Sequence, residues 1–347
     1  MNETPQRFDA GSVRIYRIPL DLFPGLTGYA HLVVAPECMV LLDVGSGFGE
    51  CNDQLHAGLA SIRSDHGEAV GWDRLTHVLI THGHIDHYGG LGFVRSKTSA
   101  PVGIHLLDRR VLTDFERRLE AMADRLRRFL RAAGVERAEV EDLIEVYLFA
   151  KHLFASQAVD FTVATAEADL GPLRILHTPG HCPGQIVLQV GEIVLTSDHV
   201  LPGITPHMAP GSLARNTGLS SYLASLDRLE AWAAPGRLAL GGHGRPIPNL
   251  RSRISEIRRH HEDRLQSVWQ VLDQPRTIAD LTDKLFPTAT GYHRLLALEE
   301  VGAHVEYLQS RRRIRHVGAD RRKPIARYLR LTARPGSRAA PSAFSSA

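Results

Sequence analysis

The chain has 347 residues, 43% of them hydrophobic and 23% charged, with a formal net charge of +3. This is the balance of a globular protein of about two domains, and no run approaches the roughly 18 apolar residues of a membrane span. The opening MNETPQRFDA lacks the basic-then-apolar layout of a signal peptide, and three cysteines without a CxxC pair signal neither a disulfide framework nor a cysteine zinc site, so a cytoplasmic setting is expected.

In chain order, short apolar runs bounded by Gly, Pro or Asp read as strands at Val13 to Ile18, His31 to Ala35, Met39 to Asp43, His77 to Ile80 and Val102 to His105. A helix is expected over Asp53 to Ile62. From Leu106 to Phe154 the pattern changes. Val111, Phe115, Leu119, Met122, Leu126 and Phe129 recur at three- and four-residue spacing, Gly134 stops that helix, and Ala138 to Phe154 reads as another. Strands return at Leu173 to His177, Ile186 to Val190, Ile193 to Thr196 and Leu238 to Leu240, with a helix over Ser221 to Trp232. After Pro248 the pattern is helical: Arg251 to Leu272, Thr277 to Leu285 and Leu295 to Gln309, then a short strand at Arg313 to Val317. The last twenty residues, rich in Ala, Arg, Pro and Ser, read as disordered.

The charge is unevenly spread. From Gln309 to Ala347 there are eleven Arg and Lys against one acid, Asp320, so the rest of the chain is net acidic. A basic end can be a polyanion-binding tail or a solubilising terminus. The other anomaly is 19 histidines.

Three of these lie in Leu79-Ile80-Thr81-His82-Gly83-His84-Ile85-Asp86-His87-Tyr88, where an apolar strand runs into His-x-His-x-Asp-His. Three imidazoles and a carboxylate in six residues need partners if buried, and a divalent metal serves all four. Three later segments repeat the theme of a ligand-type residue in a turn after a strand. They are His177-Thr178-Pro179-Gly180-His181-Cys182, Leu195-Thr196-Ser197-Asp198-His199 and Gly241-Gly242-His243-Gly244.

Together with Asp43 in Leu41-Leu42-Asp43-Val44-Gly45, this set resembles the motif pattern of the metallo-β-lactamase superfamily, and within it the glyoxalase II-like branch. The resemblance covers residues 13 to 250, and 251 to 317 is similar to a winged-helix appendage. It implies an α+β fold: an αββα sandwich with a helical insertion over about 106–158, a catalytic domain at 1–250, a winged-helix-like domain at 251–317 and a basic, disordered tail at 318–347. It also implies two divalent metals, zinc foremost with iron or manganese as alternatives. His82, His84 and His181 would hold the first, Asp86, His87 and His243 the second. Asp198 would bridge them, and Asp43 would orient a ligand imidazole. Cys182 reads as packing.

The activity so implied is hydrolysis by a metal-bridging hydroxide, with Asp86 and Asp198 as catalytic carboxylates. A small ester, an acyl-glutathione or acyl-CoA thioester, or a lactone is the expected substrate. Candidate substrate contacts are Tyr88, His199 and His207, the last in a loop over Pro202 to Met208. The apolar face carrying Phe115, Met122, Phe129 and Phe154 either lines an acyl pocket or packs the helices. Two alternatives stay open: an endoribonuclease or phosphodiesterase using the winged helix and Arg311, Arg312, Arg313, Arg315, Arg321, Arg322 and Lys323 on RNA, and a non-catalytic metal-binding regulator. The expected partner is a small molecule, with nucleic acid the alternative, no membrane, and room for a homo-oligomer.

Overall fold

The computed structural model describes residues 4–149, 153–234, 236–317 and 325–331. Two sheets account for most strands. The first takes β1 (Gln6–Ala10), β2 (Val13–Phe23), β3 (Leu26–Val34), β4 (Met39–Leu42), β5 (His77–Ile80), β6 (Val102–His105) and β7 (Phe161–Val163) in that spatial order. Pairing is antiparallel from β1 to β4 and parallel from β4 to β7. The second sheet holds β8 (Glu167–Leu170), β9 (Leu173–His177), β10 (Ile186–Val190), β11 (Ile193–Ser197) and β12 (Leu238–Gly241), antiparallel except for the parallel pair β11–β12. Parallel neighbours demand crossover connections, and these carry helices: α1 (Cys51–His66), α2 (Ile85–Tyr88), α3 (Leu91–Lys97), α4 (Arg109–Thr113), α5 (Phe115–Ala132), α6 (Arg137–Leu148) and α7 (Leu219–Trp232).

The sheets face one another over a shared core. Ile15, Val33, Leu42 and Leu79 of the first and Ile175, Ile186, Leu188, Leu195 and Leu240 of the second belong to one buried cluster. Strands buried on both faces read as unbroken apolar runs, as in Val187-Leu188 and Val194-Leu195. This is the α+β sandwich with two mixed sheets that the motif pattern implied.

The chain divides into two compact units: Met1–Glu116, Phe154–Pro206 and Ala224–Ile254 make the first, and Arg117–Leu153, His207–Leu223 and Ser255–Ala347 the second. The helical insertion thus clusters mainly with the C-terminal helices rather than with the sandwich. The second unit contains most of α5, α6 and α8 (Leu250–Val271), with α9 (Ile278–Leu285), α10 (Gly291–Ser310), β13 (Ile314–Val317) and β14 (Arg327–Arg330). Thr277 and Asp280 form a reciprocal capping box at the start of α9. Arg294 of α10 reaches Glu139 of α6 at 2.8 Å, and Phe129 packs against Gly302, where an added Cβ would lie 2.8 Å from its ring. That contact is packing of helix on helix.

Two expectations change. The helix expected to reach Phe154 ends at Leu148, and the Phe154 ring instead packs edge-on against Phe115 at 6.5 Å. The stretch expected to lack order from 318 carries β14, antiparallel to β13, and Tyr328 exchanges backbone hydrogen bonds with Arg276 at 2.8 and 3.0 Å. One of its partners, Arg276, is distant in sequence, and the arginine-rich composition hid the strand. Arg321, Arg322, Lys323 and residues 332–347 lie outside the described residues. Among the described residues no helix is long and apolar enough to cross a membrane.

One polar anchor on the first sheet is testable. Glu68, after α1, accepts from Arg14 at 2.6 and 2.9 Å and from the Tyr16 hydroxyl at 2.8 Å. The Arg14 hydrogen bond leads in holding its carboxyl below the usual value, with burial opposing. Charge-assisted bonds of this kind stabilise by about 1.5–3 kcal/mol, so Glu68→Gln should lower unfolding free energy by about that amount at pH 7. Because the folded-state value is depressed, the difference from wild type is full above an unfolded pKa of about 4.3 and shrinks as pH falls through the folded value. Urea unfolding at pH 7 and at lower pH checks both.

Candidate metal centre

The ligand-type side chains converge at the ends of five strands of the first unit. Asp43 follows β4, the His-x-His-x-Asp-His run follows β5 and winds into α2, His181 sits in the β9–β10 turn, Asp198 follows β11 and His243 follows β12. β4 and β5 are parallel neighbours, as are β11 and β12, which places their C-terminal ends side by side. The sheets are stitched together at this edge by Ile186 N–H donating to Thr81 O at 3.0 Å.

Two groups result. His82, His84, His181 and Cys182 offer ligand atoms within 4.8 Å of one another, and so do Asp86, His87, Asp198 and His243. Asp198 faces both. Its Oδ2 lies 3.4 Å from His243 Nε2 and 3.9 Å from His181 Nε2, and its Oδ1 lies 3.4 Å from His87 Nε2. His243 Nε2 is also 3.3 Å from Asp86 Oδ2. Cys182, read as packing, is buried with its sulfur inside the first group.

Outer partners decide which ring nitrogen faces inward. Asp43 Oδ2 accepts from His87 Nδ1 at 2.8 Å, and Thr27 O accepts from His243 Nδ1 at 2.8 Å. Each bond puts a proton on Nδ1 and turns Nε2 toward Asp86 and Asp198, the nitrogen that a metal would take in exchange for its proton. Asp43 also accepts from Thr81 N and Thr81 Oγ1, both at 2.8 Å, and Thr81 Oγ1 meets Ser197 Oγ at 2.6 Å. One carboxylate therefore ties the ends of β4 and β5 to a ligand ring.

In the first group His82 and His84 are neutral imidazoles. Burial holds His84 down to about 3, helped by His181, and keeps His82 well below its ordinary value. In the second group carboxylates win: against the opposing effect of burial, Asp198 raises His243 to about 10. Burial likewise works against the charge on Asp86, yet His87 and the His243 hydrogen bond bring it down to about 2.

The arrangement fits divalent metal. His82 Nε2 is buried without a hydrogen-bond partner, as is Asp198 Oδ1, and unsatisfied buried polar atoms of this kind mark a missing partner. Imidazole nitrogens and carboxylate oxygens are the donors such ions take.

The backbone pays for this convergence with strain at two non-glycine positions. Asp43 has φ of 58° and Ser197 φ of 45°, left-handed values that turn both chains out of their strands. Gly242 is required for a different reason: a Cβ there would lie 2.5 Å from Asp198 Oδ1 and 2.8 Å from His87 Cε1.

Other candidates fall elsewhere. Tyr88 on α2 and His199 after Asp198 are buried. His207 lies in the second unit, its Nε2 2.8 Å from Glu299 Oε2. The loop after Asp198 is held where it leaves the sandwich by Arg253, which donates to Leu201 O and Ile204 O at 2.7 Å each. Sequence reasoning missed Thr81, Ser197, Gly242 and Asp108. Asp108 is fully buried and accepts from Gly83 N at 2.9 Å, between His82 and His84. Thr81 and Gly242 adjoin motif residues and could have been suspected. Asp108 has no such signal.

Residues 24–243 match the metallo-beta-lactamase superfamily. The chain belongs to that superfamily of metallo-hydrolases, and its His/Asp groups are able to hold metal ions. It is similar to the metallo-beta-lactamase family protein TTHA1429 of Thermus thermophilus, with 27% identity and a TM-score of 0.73 over 91% of this chain and 98% of that one. Among curated relatives it is 29% identical over 130 residues to the probable metallo-hydrolase YqgX of Bacillus subtilis, a match spanning 36% of this chain and half of that protein. It is 26% identical over 230 residues, 63% of this chain and 90% of the relative, to the uncharacterized protein Rv2581c of Mycobacterium tuberculosis.

Two substitutions probe the centre. Asp43→Asn keeps the side-chain shape but loses the carboxylate that orients His87, and should weaken metal affinity by roughly 10–100-fold. Metal titration of the apoprotein measures this. Gly242→Ala should lower metal content further, with far-UV circular dichroism unchanged. Wild-type metal content in both would rule out these roles for Asp43 and Gly242.

Proposed function

We propose that this chain is a dinuclear metal-dependent hydrolase of a small ester, a thioester of the acyl-glutathione or acyl-CoA type, or a lactone. The observation carrying this reading is Asp198, a single carboxylate placed against His181 on one side and His87 and His243 on the other. His82, His84 and His181 would hold one ion and Asp86, His87 and His243 the other, with zinc foremost and iron or manganese as alternatives. Divalent ions bound there would lower the pKa of water toward neutrality and polarise a substrate carbonyl. The chain's own residues then have separable tasks. Asp43 and the Thr27 carbonyl hold His87 and His243 with Nε2 inward. Asp86 and Asp198, acceptors when ionised, orient the attacking water. The Phe115–Phe154 pair offers apolar surface for an acyl group, Phe154 standing against Gly89 beside α2.

A second reading, phosphodiester hydrolysis of RNA, is favoured by one observation. α8, α9 and α10 precede the β13–β14 ribbon, the order of a winged helix, and Arg311, Arg312, Arg315 and Arg327 on or beside that ribbon are exposed. The readings separate in one experiment. The metal-loaded protein is assayed in parallel against acyl-glutathione, acyl-CoA, lactone and phosphodiester substrates. Turnover of an acyl substrate is expected, with His84→Ala losing more than the roughly 10–100-fold that outer-shell changes cause. Phosphodiester turnover that falls steeply with salt, and that Arg311→Ala and Arg315→Ala weaken, would overturn the acyl reading in favour of RNA. Bound metal without turnover of any substrate would leave a metal-binding regulator.

A further inference from the structure

The second unit contains a cluster that the hydrolase reading does not use. His261 on α8 and His304 on α10 are both fully buried, and Glu300 stands one turn before His304 on the same helix. Ligand atoms of these three residues lie within 4.8 Å of one another. His304 Nδ1 is 2.7 Å from the Glu300 carbonyl, which can only accept, so the ring proton sits on Nδ1 and Nε2 carries a lone pair. That lone pair points at His261 Nδ1, 3.2 Å away, while His261 Nε2 is buried with no hydrogen-bond partner.

Neither neutral form of His261 satisfies this geometry. With the proton on Nδ1, the two rings are bonded and Nε2 keeps an unfilled lone pair in the interior. With the proton on Nε2, two lone pairs face each other at 3.2 Å. A cation seated beside the line between the two nitrogens, with each ring turned slightly toward it, replaces that repulsion by two bonds. Two nitrogens each about 2.0–2.1 Å from one ion, the usual Zn–N length, stand roughly 2.8–3.4 Å apart at octahedral to tetrahedral angles. The observed spacing of 3.2 Å falls inside that range. The carboxylate completes the chemistry. Glu300 Oε2 accepts from Met208 N at 3.2 Å, which fixes the group, and Oε1 lies 3.7 Å from His304 Nδ1. Burial holds His261 down to about 2 and lowers His304, so both rings stay in the metal-binding neutral form. Two neutral imidazoles and one carboxylate leave a net negative charge for a divalent ion to neutralise.

We propose that His261, His304 and Glu300 form a separate transition-metal site, of the zinc class, that fastens α8 to α10 within the second unit. The site is independent of the hydrolase reading and its test is arranged accordingly. The full chain is prepared with the catalytic centre disabled by His82→Ala, His84→Ala, Asp198→Ala and His243→Ala, and titrated with Co2+ as a spectroscopic probe. Saturable binding of about one ion per chain is expected, with visible d–d bands of nitrogen and oxygen ligation. Adding His304→Gln should abolish the bands, and adding Glu300→Gln should weaken binding at least tenfold. Circular dichroism distinguishes these losses from unfolding, and the disabled parent already tests the site if His304→Gln fails to fold. Zn2+ should displace Co2+ and raise the melting temperature of the parent. A folded parent that binds no Co2+ or Zn2+ at micromolar concentration would overturn the proposal and leave a hydrogen-bonded histidine pair. Bands that persist in His304→Gln would overturn it equally.

Discussion

Seven ligand-type side chains crowd one edge of the sandwich, five imidazoles and two carboxylates, most of them shielded from water. Removing such groups from water costs several kcal/mol for each charge unless it is paired. Each must therefore be turned so that its lone pairs meet cations or donors. The geometry around Asp43 shows how this is done. Its carboxylate takes three hydrogen bonds, from Thr81 N, Thr81 Oγ1 and His87 Nδ1. The same bonds that stabilise the carboxylate set the face that His87 offers to Asp198.

The backbone follows from that demand. A strand that continued straight past Leu42 or Ser197 would carry Asp43 and Asp198 away from the edge. Left-handed φ at Asp43 and Ser197 turns the chain there instead, and the stitching of Thr81 to Ser197 and of Gly242 N to Ser197 O at 2.9 Å keeps the strained turns in place. Gly242 then lets the β12 turn approach Asp198 and His87 without a side chain between them. Local strain is held by a rigid core of apolar strands from both sheets.

The second unit is organised on other principles. Its helices meet through Phe129 against Gly302, through the Arg294–Glu139 pair and through the buried His261–His304 contact. Its strand pair is tied to the helices by backbone bonds between Arg276 and Tyr328. Nothing in that scheme repeats the strand-end logic of the sandwich. The clustering of residues 117–153 with the C-terminal helices gives the insertion a packing partner far along the chain.

Much of the sandwich was legible because its signals are local. Val78-Leu79-Ile80 followed by His82, His84, Asp86 and His87 records a strand, a turn and a donor set in ten residues, and the turns bearing His181, Asp198 and His243 repeat that grammar. Their convergence could be expected from the family resemblance. The rest depends on pairing and on contacts that composition does not signal. β1, β8 and β14 are short or polar, and only pairing with β2, β9 and β13 makes them strands. Asp108 looks ordinary in sequence and, like Thr81 and Ser197, acquires its place from hydrogen bonds across the fold. By itself the sequence determined which residue types could serve a metal and that each follows a strand, since those are properties of spacing and composition. Tertiary structure alone decided which ring nitrogen faces inward, that Asp198 stands against both groups, and that His261 meets His304, because each is a distance between atoms that the chain order leaves far apart.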